Sequence, residues 1–135
     1  MPQPVELRVL GLVIVGGAVG VLARAAVVVP LADEPVVPWV TLAVNVAGSL
    51  LLGFVVGVLG DEYSRWRAFL GTGVLGGFTT YSAFAVHSVQ LMPTPLVAIS
   101  LMGVSLFAGA LAALVGIVLG RRTRPSAALE PETAE

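Results

Sequence analysis

Cysteine is absent from the 135 residues and so is lysine, leaving arginine as the only strongly basic residue, seven in all. Without cysteine there is no disulfide framework, no thiolate nucleophile and no zinc-finger pattern. Histidine occurs once, at His87, with no acidic residue beside it. No glycine-rich phosphate loop is present, and hydroxyls without an activating base are poor nucleophiles, so the chain does not read as an enzyme. Charged residues make up 11% of the chain, against about 25% in a typical soluble domain. The net charge of −1 offers nothing to a nucleic-acid partner.

What the chain has is apolar surface. It is 57% hydrophobic, with a mean hydropathy of +0.99. A chain this short has too little interior to hide such a surface from water, so lipid is its natural solvent. Four apolar stretches stand out: Val9 to Val29, interrupted only by Arg24; Val36 to Leu59; Ala68 to Met92; and Leu96 to Leu119. Each has the roughly 20 residues that a helix needs to cross the hydrocarbon core. The first is too long for a signal-peptide core, and no clear small-residue cleavage site closes it before Pro30, so it reads as a retained span. Pro30, Asp33, Glu34, Pro35 and Pro38 mark the first joint. Gly60, Asp61, Glu62, Ser64 and Arg65 mark the second, and Pro93 and Pro95 the third. The pattern predicts an all-α membrane protein of four transmembrane helices. One channel-sized domain covers residues 1–122, and a polar, flexible tail covers 123–135.

Small residues recur inside the spans. Gly16 and Gly20, Gly53 and Gly57, Gly73 and Gly77, and Gly116 and Gly120 each form a small-xxx-small pair that lets helix backbones approach closely in lipid. Four short helices enclose little volume, so a pore or substrate site calls for at least two chains.

No Asp, Glu or Lys lies within any span. Proton-coupled exporters and cation pathways place a carboxylate in the membrane, and small multidrug transporters, which share this size and span count, need a glutamate in the first span. What remains is a set of neutral hydrogen-bonding groups and one arginine. Asn45, in the middle of TLAVNVAGSLLLG, costs free energy at that depth unless paired. It is either an interhelical hydrogen bond or a donor facing a permeating anion. The third span carries GVLGGFTTYSAF, residues 73 to 84. Its paired glycines and threonines are poor helix formers and predict a break, whose freed carbonyls can bind a small cation. Tyr81 and Phe84 follow on one helical face and can offer positive ring edges to an anion, or simply pack. His87 continues that face as a packing residue. Arg24 either snorkels to the interface or raises the local potential for anions. In the fourth span the hydroxyls are Ser100 and Ser105.

Three of these motifs together resemble the Fluc/CrcB family of bacterial fluoride channels, over roughly residues 11 to 120. GGAVGVLAR is similar to the family's GGxxGAxxR, TLAVNVAGSLLLG to its TLxVNxxGSFLxG, and GVLGGFTTYSAF to its GxxGGxTTFSTF. The resemblance implies a passive, fluoride-selective channel that protects a bacterial cytoplasm, built as an antiparallel dimer with two narrow pores and a broken third helix. It implies a structural sodium ion held by the backbone carbonyls of Gly76 and Thr79. It implies a fluoride pathway through Asn45, Thr80, Tyr81, Phe84 and Ser105, with Arg24 at the first-span arginine. Two positions depart from the family's pattern. Tyr81 stands where the family has Phe, and Leu101 stands where a Tyr often precedes the fourth-span serine by one turn. A small multidrug-type transporter and a non-conducting assembly partner of a membrane complex are the alternatives.

Charge predicts the orientation. With four spans, the N-terminus, the second loop and the C-terminus share one side of the membrane. That side carries Arg8, Arg65, Arg67, Arg121, Arg122 and Arg124. Arginine-rich segments stay cytoplasmic, so both termini are predicted inside the bacterial inner membrane. A bias this strong opposes dual insertion. It predicts pairing with an oppositely oriented paralogue more than with a second copy of the same chain.

Overall fold

The structure is a computed structural model that describes residues 6–60, 64–82, 85–86 and 95–124. Every element among these residues is helical. Helix α1, Leu7–Val28, has 22 residues and is about 33 Å long at 1.5 Å per residue, enough to cross a hydrocarbon core of about 30 Å. A 3-10 turn, Val29–Leu31, follows it around Pro30. Helix α2, Val37–Leu59, opens on Pro38 in its first turn, where the missing N–H is one that a helix start leaves unpaired anyway. It ends at Gly60, whose φ of 54° lies in the left-handed region that glycine occupies without strain.

The third segment is wound unevenly. Helix α3 begins as one α-turn at Ser64–Trp66, widens to π geometry over Arg67–Leu75 and returns to an α-turn at Gly76–Phe78. Within it the Gly76 N–H reaches the Gly71 carbonyl, five residues back, which is the π spacing. Gly71, Gly73, Gly76 and Gly77 supply no side chains to hold a regular helix together, and each weakens helix propensity. At Thr79 the backbone turns extended, with φ −78° and ψ 156°. Helical geometry returns at Tyr81 and Ser82, and again at Ala85 and Val86. The remainder of the anticipated third span, including Phe84 and His87, lies outside the described residues.

Helix α4, Pro95–Thr123, has 29 residues. It runs one turn beyond the Leu119 boundary read from hydropathy. Arg121 and Arg122 sit in that last turn, where positive charge meets the carbonyl end of the helix dipole. Hydropathy sees a polar stretch there, whereas the backbone continues as helix. Three helical stretches, Leu7–Leu31, Val37–Leu59 and Pro95–Thr123, are long and apolar enough to span a membrane.

The glycines pair the helices. Gly16 of α1 lies against the Phe69 carbonyl and the Gly73 Cα of α3, Gly20 against the Val74 carbonyl, and Gly77 against the Gly17 carbonyl. Gly53 and Gly57 of α2 lie against the carbonyls of Ala113 and Ile117 in α4, while Gly116 and Gly120 lie against those of Leu50 and Phe54. The contacts climb together from Gly16 on Phe69 to Gly20 on Phe78 and from Gly53 on Ala113 to Gly57 on Ile117, so α1 runs parallel to α3 and α2 runs parallel to α4. The four small-xxx-small pairs of the sequence are therefore the contact lines of two helix pairs within one chain. Gly48 joins the pairs by bringing α2 onto the Thr79 side chain.

Little of the molecule is interior. Among the described residues, apart from glycines, those buried are Val37, Thr41, Val44, Leu75, Ala98 and Leu101. Leu7, Ile14, Leu22, Leu106 and Phe107 are among many large apolar residues left open. Exposed apolar area on this scale is stable against lipid or another apolar surface, not against water.

Candidate functional site

The extended residues after α3 are held by a side chain from α2. Asn45 Nδ2 donates to the Thr80 carbonyl at 3.0 Å, and the Thr80 N–H donates to Asn45 Oδ1 at 2.8 Å. One amide thus satisfies both backbone groups of a residue that has left the helix, as burial in an apolar medium demands. In an α-helix the Thr80 N–H would close a turn on the Gly76 carbonyl; here it is directed to α2. The Thr79 hydroxyl donates to the Leu75 carbonyl at 3.0 Å, and the Thr79 N–H donates to the same oxygen. Together they seal the end of α3. The Thr80 and Ser82 hydroxyls lie 3.2 Å apart.

Arg24 reaches the same region from α1. Its Nε donates to the Gly77 carbonyl at 3.4 Å, and the side chain is half-buried. A guanidinium at this depth places positive potential beside the extended residues, where low dielectric strengthens it.

Beside Asn45 a cleft of about 300 Å³ opens between α2, α4 and the Thr79–Tyr81 stretch. Asn45, Ser49, Thr79, Thr80, Tyr81 and Ser105 line it together with Leu52, Leu106 and Gly109. No titratable acid lines it. The Ser105 hydroxyl is buried with no hydrogen-bond partner among the described residues, as is that of Thr41. Tyr81 stands at the mouth, 81% exposed. The structure therefore brings Asn45, Thr80, Tyr81 and Ser105 to one cleft, with Arg24 at the adjoining carbonyl. Phe84 lies outside the described residues.

Two residues of this seam had not been singled out from the sequence, Thr41 and Ser49. Thr41, Asn45 and Ser49 recur every fourth residue along α2, and Leu101, Ser105 and Gly109 do so along α4. A Cβ on Gly109 would lie 3.5 Å from Ser49 Oγ. Counting back one turn in each parallel helix sets Asn45 level with Ser105, and a further turn sets Thr41 level with Leu101. Thr41 is 3% exposed and Leu101 4%, so a hydroxyl is buried level with a hydrocarbon side chain. The fourfold spacing was the signal that could have found this stripe.

Among the described residues no group of three or more His, Cys, Asp or Glu is placed to hold a metal. Among the described residues the oxygens near Thr79 are neutral: backbone carbonyls and the hydroxyls of Thr79, Thr80 and Ser82.

Apolar helices of spanning length, with neutral hydrogen-bonding groups gathered along an internal seam, define an integral membrane protein whose polar chemistry faces inward. Its family follows from comparison: a family model described as CrcB-like protein, Camphor Resistance (CrcB), matches residues 11–117, and the chain belongs to that family. A relative from Leifsonia xyli subsp. xyli, named fluoride-specific ion channel FluC 2, is 44% identical over 131 residues, covering 87% of this chain and 88% of its own. A protein of the same name from Bacillus subtilis is 36% identical over 121 residues, covering 86% and 90%. The fluoride-specific ion channel FluC of Agrobacterium fabrum is 40% identical over 120 residues, covering 83% and 95%.

Proposed function

We propose that the chain is a subunit of a fluoride-selective channel that lets fluoride leave a bacterial cytoplasm passively. The observation that carries this reading is the cleft in which Asn45, Thr80 and Ser105 meet with no carboxylate among the lining residues. Fluoride is small and holds its water tightly, so a pathway must replace that water with donors. Neutral amide and hydroxyl donors do so without the self-charge that would repel an anion. The names of the relatives supply the identity of the ion. In this reading the Ser105 hydroxyl, which has no hydrogen-bond partner among the described residues, turns to the passing ion. The ring edges of Tyr81 and Phe84 add positive potential, and Arg24 concentrates anions beside the Gly77 carbonyl. The conduit forms and breaks no covalent bond, so no enzyme chemistry is involved. A multidrug-type transporter fits poorly, because the cleft has no carboxylate to carry a proton.

The working form is an antiparallel dimer of four-span chains with a broken third helix, seated in the bacterial cell membrane. The cleft of one chain is open on one side and needs a second chain to close it. A structural sodium ion fits between the subunits, held by the carbonyls of Gly76 and Thr79 from both chains. Two observations support that placement. The extended ψ of Thr79 turns its carbonyl away from the helix line, and Asn45 takes the Thr80 N–H that would otherwise close on the Gly76 carbonyl. The ion would supply a fixed positive charge that bridges the subunits.

Fluoride efflux from loaded liposomes tests the function. Reconstituted with an oppositely oriented family member, the protein should empty fluoride but retain chloride, and fluoride flux should fall when sodium is replaced by a large organic cation. Proton-coupled uptake of an organic cation would identify a transporter. No flux by this chain either alone or with an oppositely oriented family member would make it a non-conducting assembly partner. Undiminished flux without sodium would remove the metal site.

A further inference from the structure

Packing of α1 parallel to α3 brings Arg8 and Arg65 to one place, although 57 positions separate them in the sequence. With Glu6 and Leu7 they line a space of about 470 Å³ at the end of the molecule that also carries Arg67 and the C-terminal arginines of α4. Both guanidiniums are exposed. Among the described residues no carboxylate lies within ion-pair distance of either, so two like charges share a cavity whose described lining holds one acid, Glu6. Glu6 offsets one of the two and leaves a net charge of about +1, which matches a single phosphodiester. The surroundings suit the membrane interface: Leu7 is 81% exposed and Trp66, the neighbour of Arg65, is 59% exposed. Trp66 meets Phe69 edge-to-face with centroids 6.2 Å apart, and indole rings are favoured at membrane–water interfaces.

We propose that Arg8, Arg65, Glu6 and Leu7 form a headgroup socket for an anionic phospholipid of the phosphatidylglycerol type. The two guanidiniums bind the phosphodiester oxygens, and Leu7 and Trp66 meet the glycerol and the start of the acyl chains. Arginine suits this task because its planar fork pairs with phosphate oxygens two at a time. Glu6 disfavours dianionic phosphates by repulsion and so biases the site toward monoanionic diesters. A lipid held here ties the start of α1 to the start of α3, outside the fluoride pathway, so the site stands or falls independently of what the channel conducts.

Native mass spectrometry of the intact chain in detergent, titrated with phosphatidylglycerol or phosphatidylcholine, tests the proposal. The wild type should retain phosphatidylglycerol on the order of tenfold better than phosphatidylcholine. Arg8→Gln with Arg65→Gln should abolish that preference. Arg121→Gln with Arg122→Gln, which removes the same charge from α4, should leave it largely intact. Equal retention of the two lipids by the wild type would overturn the socket, and so would equal loss in the two double variants, which would mean general surface charge. Millimolar inorganic phosphate should not displace the lipid; displacement would assign a free-anion site instead. If the Arg8/Arg65 pair of changes prevents folding, Arg8→Gln alone carries the same comparison, and an unaltered preference in it would also count against the proposal.

Discussion

Asn45 commits both ends of its amide to Thr80, so its first task is to hold the backbone of another segment. Asn45→Leu removes two hydrogen bonds and leaves the N–H and carbonyl of Thr80 without their partner. Leaving buried polar groups unmet costs about 1–3 kcal/mol each. The expected outcome is a dimer that still assembles but melts at a lower temperature and loses most of its fluoride flux. Asn45→Asp should behave similarly, because a carboxylate can accept from the Thr80 N–H but repels the Thr80 carbonyl. Wild-type flux from either variant in liposomes would reduce Asn45 to a packing residue. Thr41 presents the opposite case. Its hydroxyl is buried with no partner among the described residues, so Thr41→Val, which keeps the shape, should leave thermal stability unchanged or raise it by about 1 kcal/mol. A lower melting temperature would show that the hydroxyl has a partner supplied by the second chain. The need for a polar residue at Asn45 is legible from its depth in an apolar span. Its partner is not, because Thr80 lies 35 positions away and no local pattern points to it.

At the scale of elements, glycine decides which helices touch. A methyl group on Gly20 would collide with the backbone carbonyl of Val74, and one on Gly53 with that of Ala113. Neither neighbour is a side chain that can swing aside. Gly20→Ala and Gly53→Ala should each force a helix pair apart and lower the melting temperature in detergent by several degrees, while Gly103→Ala should not. A Cβ on Gly103 would meet nothing within 4 Å among the described residues, and alanine favours helix by about 1 kcal/mol over glycine. If Gly103→Ala nevertheless impairs assembly, that face of α4 abuts the partner. The fourfold spacing of the glycines announces close packing in the sequence, but not that α1 chooses α3 and α2 chooses α4. The winding of α3 is less legible still. Its glycines signal weak helix, yet the widening over Arg67–Leu75 depends on the backbone of α1 pressing against it at Gly16 and Gly20.

The whole molecule is polarised along its length. Arg67 Nη1 donates to the Gly60 carbonyl at 3.3 Å, and a Cβ on Gly60 would lie 2.7 Å from a guanidinium nitrogen of Arg124. The starts of α1 and α3 and the ends of α2 and α4 therefore meet at one end, which gathers six of the seven arginines. We propose that this asymmetry sets one orientation, with this end in the cytoplasm. An antiparallel dimer then requires an inverted partner. We propose a paralogue for that role, consistent with relatives named both FluC 1 and FluC 2. The chain has no native cysteine, so one introduced near Glu135 reports orientation cleanly. An impermeant thiol reagent applied outside intact cells should leave it unlabelled. Labelling of about half the molecules would show dual insertion and favour an ordinary homodimer.

Sequence alone determined the solvent of this protein, the extent of its apolar helices, the notches where backbones approach and the side that carries positive charge. These follow from composition and from spacings of three or four residues, which a helix converts directly into faces. Tertiary structure decided the pairing of helices, the engagement of Asn45 with Thr80 and of Arg24 with the Gly77 carbonyl 53 positions away, and the alignment of Thr41 and Ser49 with the α4 seam. Those depend on how rigid helices are set against one another. That register is fixed by contacts between distant segments, which no local stretch of sequence contains.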